Sequence, residues 1–148
     1  MMLKSVVAAL AAVLIAGTAV HAAEFTVNMV NKDAEGHVMQ FEPAFLKVAV
    51  GDVVHFVPVD KGHDTESVVI PDGAEAWKGK LSQPVDVTFT VEGLYAYKCA
   101  PHVGLGMVGL IQVGDGAANH DAVEDFKLPK KAHERMEELL AAMGTPAQ

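Results

Sequence analysis

Between residues 24 and 113 the chain is cut by Gly, Pro and Asp into short runs of strand-forming residues, a pattern that admits sheets and leaves little room for helices. The clearest run is Val85 to Val91. There Val85, Val87, Phe89 and Val91 alternate with Asp86, Thr88 and Thr90, the two-residue period of a strand with one buried face. Phe25–Val30, Met39–Phe41, Phe45–Val50, Val53–Val57, Val68–Ile70, Leu94–Lys98 and Val108–Val113 supply further strands. Gly51-Asp52 reads as a hairpin-type break between two of them, Pro71-Asp72-Gly73 as a turn, and Ala74–Leu81 as a single helical turn. So many short strands predict an all-β fold, a Greek-key β-sandwich. After Gly114 the period becomes helical. Asn119 is expected to cap a short helix running through Phe126, and Pro129 to sit in the first turn of a second. Met136, Leu139, Leu140 and Met143 share one face of that second helix, and Gly144 stops it. These two C-terminal α-helices, within about residues 117–144, are expected to pack on the sandwich.

The first 22 residues have another character. Lys4 precedes an apolar run from Val6 to Val20, and Val20-His21-Ala22 ends it, the layout of a secretory leader (1–22) cut after Ala22. An uncleaved anchor is the alternative, but the run falls short of the ~20 residues a spanning helix needs. Residues 23–148 then form one domain of 126 residues, enough for one core and too few for two. Losing Lys4 leaves ten basic against nineteen acidic residues, a formal charge of −9, which argues against nucleic acid as a partner. No later run is apolar enough to cross a membrane.

A single cysteine cannot form an internal disulfide, and a lone thiol in an exported protein calls for another role. A buried inert thiol and an intermolecular bridge are the bland alternatives. The neighbours of Cys99 favour a metal: Cys99, His102 and Met107 place a thiolate, an imidazole and a thioether within nine positions between two strands. This donor set suits copper, which accepts sulfur as Cu(I) and imidazole nitrogen as Cu(II). A trigonal set of two His and one Cys with a weak axial Met needs a second imidazole. His63, in the loop Pro58–Thr65, is the candidate. Pro101 stiffens the turn from Cys99 to His102, while Gly104 and Gly106 let the chain fold back toward Met107. Ligands on separate loops of a rigid sandwich shift little when the metal changes charge, and that favours fast electron transfer. His37, His55, His120 and His133 read as solvated or satisfied, and Met29, Met39, Met136 and Met143 as packing residues.

Asn31-Lys32, Phe41-Glu42-Pro43-Ala44, Lys61-Gly62-His63, Ile70-Pro71-Asp72-Gly73-Ala74-Glu75, Lys98-Cys99-Ala100-Pro101-His102 and Gly106-Met107-Val108-Gly109 together resemble the cupredoxins, and within them the pseudoazurin family. The resemblance covers essentially all of residues 23–148. Plastocyanins share the ligand spacing, but the helix pair, with Pro129-Lys130-Lys131-Ala132 opening the second, separates the two families. The resemblance implies that His63, Cys99, His102 and Met107 hold type 1 (blue) copper. It also implies a soluble, monomeric, periplasmic carrier rather than an enzyme, donating single electrons to a reductase such as copper nitrite reductase or to a c-type cytochrome. It further implies a docking patch around His102, with Pro101, Val103 and Leu105 apolar and Lys32, Lys61, Lys78, Lys80 and Lys98 as a ring. Half of the ten basic residues would then lie at one end, a dipole able to orient an acidic redox partner.

Three departures from that family stand out. Asp64 replaces the Asn that usually follows the first ligand, and a carboxylate accepts hydrogen bonds without donating them. The stretch from Asp64 to Ile70 is two residues shorter than usual, and Val103 and Leu105 replace larger or softer residues. Two other functions compete. Copper storage or delivery favours exposed, exchangeable donors, and a Cys-His hydrolase using Cys99 lacks an orienting partner and an oxyanion motif.

Overall fold

The computed structural model describes residues 21–144; the expected leader, apart from His21 and Ala22, lies outside them. Eight strands follow in order: β1 (Glu24–Lys32), β2 (Val38–Glu42), β3 (Phe45–Val48), β4 (Val53–Pro58), β5 (Glu66–Val69), β6 (Val85–Thr88), β7 (Gly93–Lys98) and β8 (Val108–Val113). They form two four-stranded sheets, ordered β2-β1-β4-β6 and β3-β8-β7-β5. The pairs β1–β4 and β3–β8 are parallel and the others antiparallel, so the chain crosses repeatedly between sheets. This is the expected sandwich with its long connections.

Two apolar layers hold it together. Between the sheets lie Val27, Met29, Phe41, Phe56, Phe89, Tyr95, Tyr97 and Ile111. The aromatic rings among them, with Trp77, meet edge-on, tilted or stacked at centroid separations between 4.7 and 6.5 Å. Outside the second sheet, Leu94, Ala96, Val108 and Leu110 pack against Val123, Ala132, Met136 and Leu139. Strands β7 and β8 are therefore covered on both faces, which is why their sequences run apolar without alternating. Burying each large side chain there stabilises the fold by about 1.5–3 kcal/mol.

The outer layer comes from α1 (His120–Glu124) and α2 (Lys130–Ala142). The expected face of α2 is the packed one. Pro129 stands one place outside the first turn, as its N-cap. Asn119 precedes α1 but makes no cap: its Oδ1 accepts from Leu94 N–H at 2.7 Å and its Nδ2 donates to Leu94 O at 2.8 Å. The amide thus copies a neighbouring strand, satisfying β7 where main-chain pairing ends.

Two local expectations are corrected. Gly51-Asp52 is no hairpin, because β3 pairs with β8 and β4 with β1 and β6; the turn carries the chain from one sheet to the other. Its Gly51 N–H donates to Phe89 O at 2.7 Å, and φ there is +94°. Nor is Ala74–Leu81 helical. Ser67 N–H donates to Trp77 O at 3.1 Å and Gly79 N–H to Thr65 O at 2.8 Å, so this stretch runs extended along β5. Seating the Trp77 ring between Phe56, Phe89, Tyr95 and Tyr97 draws it out.

Gly109 of β8 sits against the Tyr97 ring, whose hydroxyl is buried without a hydrogen-bond partner. A Cβ at Gly109 would collide with Cζ and Oη of that ring. Gly109→Ala is therefore expected to cost about 1–3 kcal/mol in denaturant unfolding. Gly104→Ala, with open space around it, should stay within about 0.5 kcal/mol.

Candidate metal centre

Cys99 follows the last residue of β7, and a 3-10 turn over Ala100–Leu105 returns the chain to β8. The turn is tied at both ends. Cys99 N–H donates to Met107 O at 3.0 Å, His102 N–H to Cys99 O at 3.1 Å, and Met107 N–H to His102 O at 3.3 Å. Gly106 closes it at φ +92°, and the backbone carbonyl of Lys131 in α2 would lie 3.4 Å from any Cβ there. The positive φ is what calls for glycine at 106, since a Cβ there would only touch Lys131 at ordinary contact distance, whereas Gly104 meets no such demand. His63 arrives on the loop after β4. Ser82 N–H donates to His63 O and Gly62 N–H to Ser82 Oγ, each at 2.8 Å, so that loop is pinned as well.

The loops bring three donor atoms together. Cys99 Sγ lies 3.7 Å from His63 Nδ1 and 3.4 Å from His102 Nδ1, and the two nitrogens are 3.2 Å apart. A triangle with these edges has one point roughly 2.0 Å from all three corners, close to the usual bond lengths from a metal to imidazole nitrogen and thiolate. The protons are arranged to suit. His63 Nε2 donates to Asn31 Oδ1 at 2.9 Å, which leaves the lone pair on Nδ1, inside the triangle. Burial, then the neighbouring His102, lowers the pKa of His63, so its ring stays neutral. Burial pushes the Cys99 thiol up to about 11, and a bound cation would have to displace that proton. Met107 is fully buried where β8 begins, its main chain bonded to both Cys99 and His102. Two imidazole nitrogens and a thiol facing one point fit copper.

Cys99, His63 and Met107 have no exposed surface, while His102 is only partly buried. Around it Pro101 and Leu105 are exposed and Val103 half-buried. Lys32, Lys61, Lys78 and Lys80 are exposed and Lys98 half-buried, but Lys78 Nζ lies 3.8 Å from Glu66 Oε1. Asp64 Oδ1 accepts from Ala100 N–H at 2.7 Å, joining the His63 loop to the Cys99 turn. Asn31 was not singled out for the site by its sequence. Its position at the exposed end of β1, just before Lys32, carries no signal until the sheets are built. Outside the expected leader, the remaining four histidines each face carboxylates: His37 with Asp33, His55 with Asp86 and Glu24, His120 with Asp121 and Glu124, His133 with Glu137.

Comparison with known proteins agrees with this geometry. Residues 27–114 match the copper binding proteins of the plastocyanin/azurin family. A pseudoazurin of Paracoccus pantotrophus is 48% identical over 139 residues, covering 93% of this chain and 95% of that one. The solved structure of a Sinorhizobium pseudoazurin superposes with a TM-score of 0.80 at 44% identity, over 84% of this chain and 98% of that chain. That of native pseudoazurin from Hyphomicrobium denitrificans gives 0.76 at 46% identity, over 80% and 97%. The chain belongs to the pseudoazurin family of blue copper proteins, electron carriers rather than enzymes, and its cofactor is copper.

Proposed function

We propose that this chain is a soluble, monomeric periplasmic carrier that would hold one copper ion through His63 Nδ1, Cys99 Sγ and His102 Nδ1, with the Met107 thioether as a weak fourth donor. The observation that carries the reading is the convergence of the three donor atoms on one point. When bound, copper supplies a one-electron couple between Cu(I) and Cu(II). The protein's part is to keep the donors still and dry. Asn31 fixes the His63 ring, the bonds between Cys99, His102 and Met107 fix the turn, and burial excludes water.

His102 is the electron port in this reading, since it alone of the four donors reaches the surface. Pro101, Val103 and Leu105 form its apolar surround. Lys32, Lys61, Lys80 and Lys98, with Lys78 partly engaged by Glu66, orient an acidic partner. The partners are a reductase such as copper nitrite reductase or a c-type cytochrome. Residues 1–22 direct export and are then cut off, and residues 23–148 are the working domain.

The visible and EPR spectra of the copper-loaded protein test this. An intense band that bleaches with ascorbate and returns on oxidation is expected, with a small copper hyperfine splitting. Cys99→Ser should remove the band altogether; a variant as blue as the parent would end the proposal. A second measurement addresses Asp64. Its carboxylate sets a negative charge beside the Cys99 turn, and negative charge favours Cu(II) over Cu(I). Asp64→Asn keeps an oxygen for Ala100 N–H and removes the charge, so the midpoint potential should rise by about 60 mV, a tenfold shift for one electron. An unchanged or lower potential would show that the charge is screened.

A further inference from the structure

The turn that carries the chain between the sheets holds a buried carboxylate with an unusual set of partners. Asp52 is 6% exposed. Its Oδ1 accepts from Ala23 N–H and its Oδ2 from Ala49 N–H, each at 2.8 Å. Among the described residues no Lys, Arg or His nitrogen lies within 4.0 Å of it. A carboxylate so enclosed with no cation at hand is costly. Ala23 is where a cation would arise. Its nitrogen, already directed at Asp52, is the atom that a cut after Ala22 sets free.

We propose that Asp52 is the receptor for the α-ammonium group made when the leader is cut between Ala22 and Ala23. Cleavage by a leader peptidase adds water across that bond: the C–N bond breaks, the hydroxyl goes to the Ala22 carbonyl carbon and a proton to the Ala23 nitrogen. The new amine takes one more proton, released by the new carboxyl group, and becomes the ammonium. A hydrogen bond with charge on the acceptor alone is thereby replaced by one with charge on both partners, an ion pair as well as a hydrogen bond. Ala23 is held for this from its other side too, since its carbonyl accepts from Val53 N–H at 2.9 Å. The ion pair fastens the start of β1 to the turn between β3 and β4, so the fold gains its last restraint after the leader has left.

The test uses the full chain expressed with export, its intact mass, and denaturant unfolding of the product with copper and without it. The mass should correspond to a chain beginning at Ala23. The same protein acetylated at Ala23 should have an unfolding equilibrium constant about tenfold larger, because the acetyl group stands where the Ala22 carbonyl stood and removes only the charge. In Asp52→Asn the difference between free and acetylated forms should fall below about twofold. A first residue other than Ala23, or free and acetylated forms that unfold alike, overturns the proposal. Where Asp52→Asn is too unstable to purify, the comparison on the parent sequence decides. Neither outcome depends on the copper reading, which the spectra judge separately.

Discussion

The antiparallel pairing of β7 with β8 is the interaction on which the rest of the molecule depends. Its register runs from Gly93 opposite Val113 to Lys98 opposite Val108, and the next bond, Cys99 N–H to Met107 O, carries the same ladder to the two sulfur residues. One face of this pair meets the aromatic core and the other meets the helices. Every residue of β8 is buried. The donor-bearing turn thus grows out of the most enclosed hydrogen-bonded pair in the protein and takes its stiffness from it.

Much of this was legible in the sequence, for reasons that differ from place to place. The alternation in Val85–Val91 survives because β6 has one wet face, although the strand itself ends at Thr88 and leaves Phe89 to pack beyond it. The donors were legible because thiolate, imidazole and thioether in one short turn have few other uses together. Gly51-Asp52 was misread because turn chemistry is local and sheet membership is not: a tight turn looks alike whether its flanking strands pair with each other or with distant ones. Ala74–Leu81 was misread because its conformation is dictated by the site into which Trp77 fits, which exists only after folding. Asn119 carried a correct cap signature and is used otherwise, since the open end of β7 competes for the same amide. Asn31 was illegible, because a strand-end amide acquires meaning only from the imidazole 32 positions away.

Three kinds of restraint meet at the turn over residues 100–105. The ladder holds both its ends, the α2 backbone at Lys131 lies beside Gly106, and the Asp64 carboxylate grips the Ala100 amide. The helices are therefore more than a cover for apolar surface, since α2 supplies one wall of the space in which the turn is built. The His63 loop is held by two bonds to Ser82, by the Asn31 bond to its ring and by Asp64 to the Ala100 amide, so the two sides of the site restrain each other.

Enclosing β7 and β8 so thoroughly also determines what is left at the margins of the sheets. The outermost strands are β2, β6, β3 and β5, of four or five residues each. Asp86 projects from β6 and Lys47 from β3, β2 ends at Glu42 before a proline, and the free side of β5 is taken by the stretch through Trp77. Short, charged or occupied borders give another copy little main chain to add to. Among the described residues, therefore, no long bare strand of the kind from which fibres grow is left at either sheet's border.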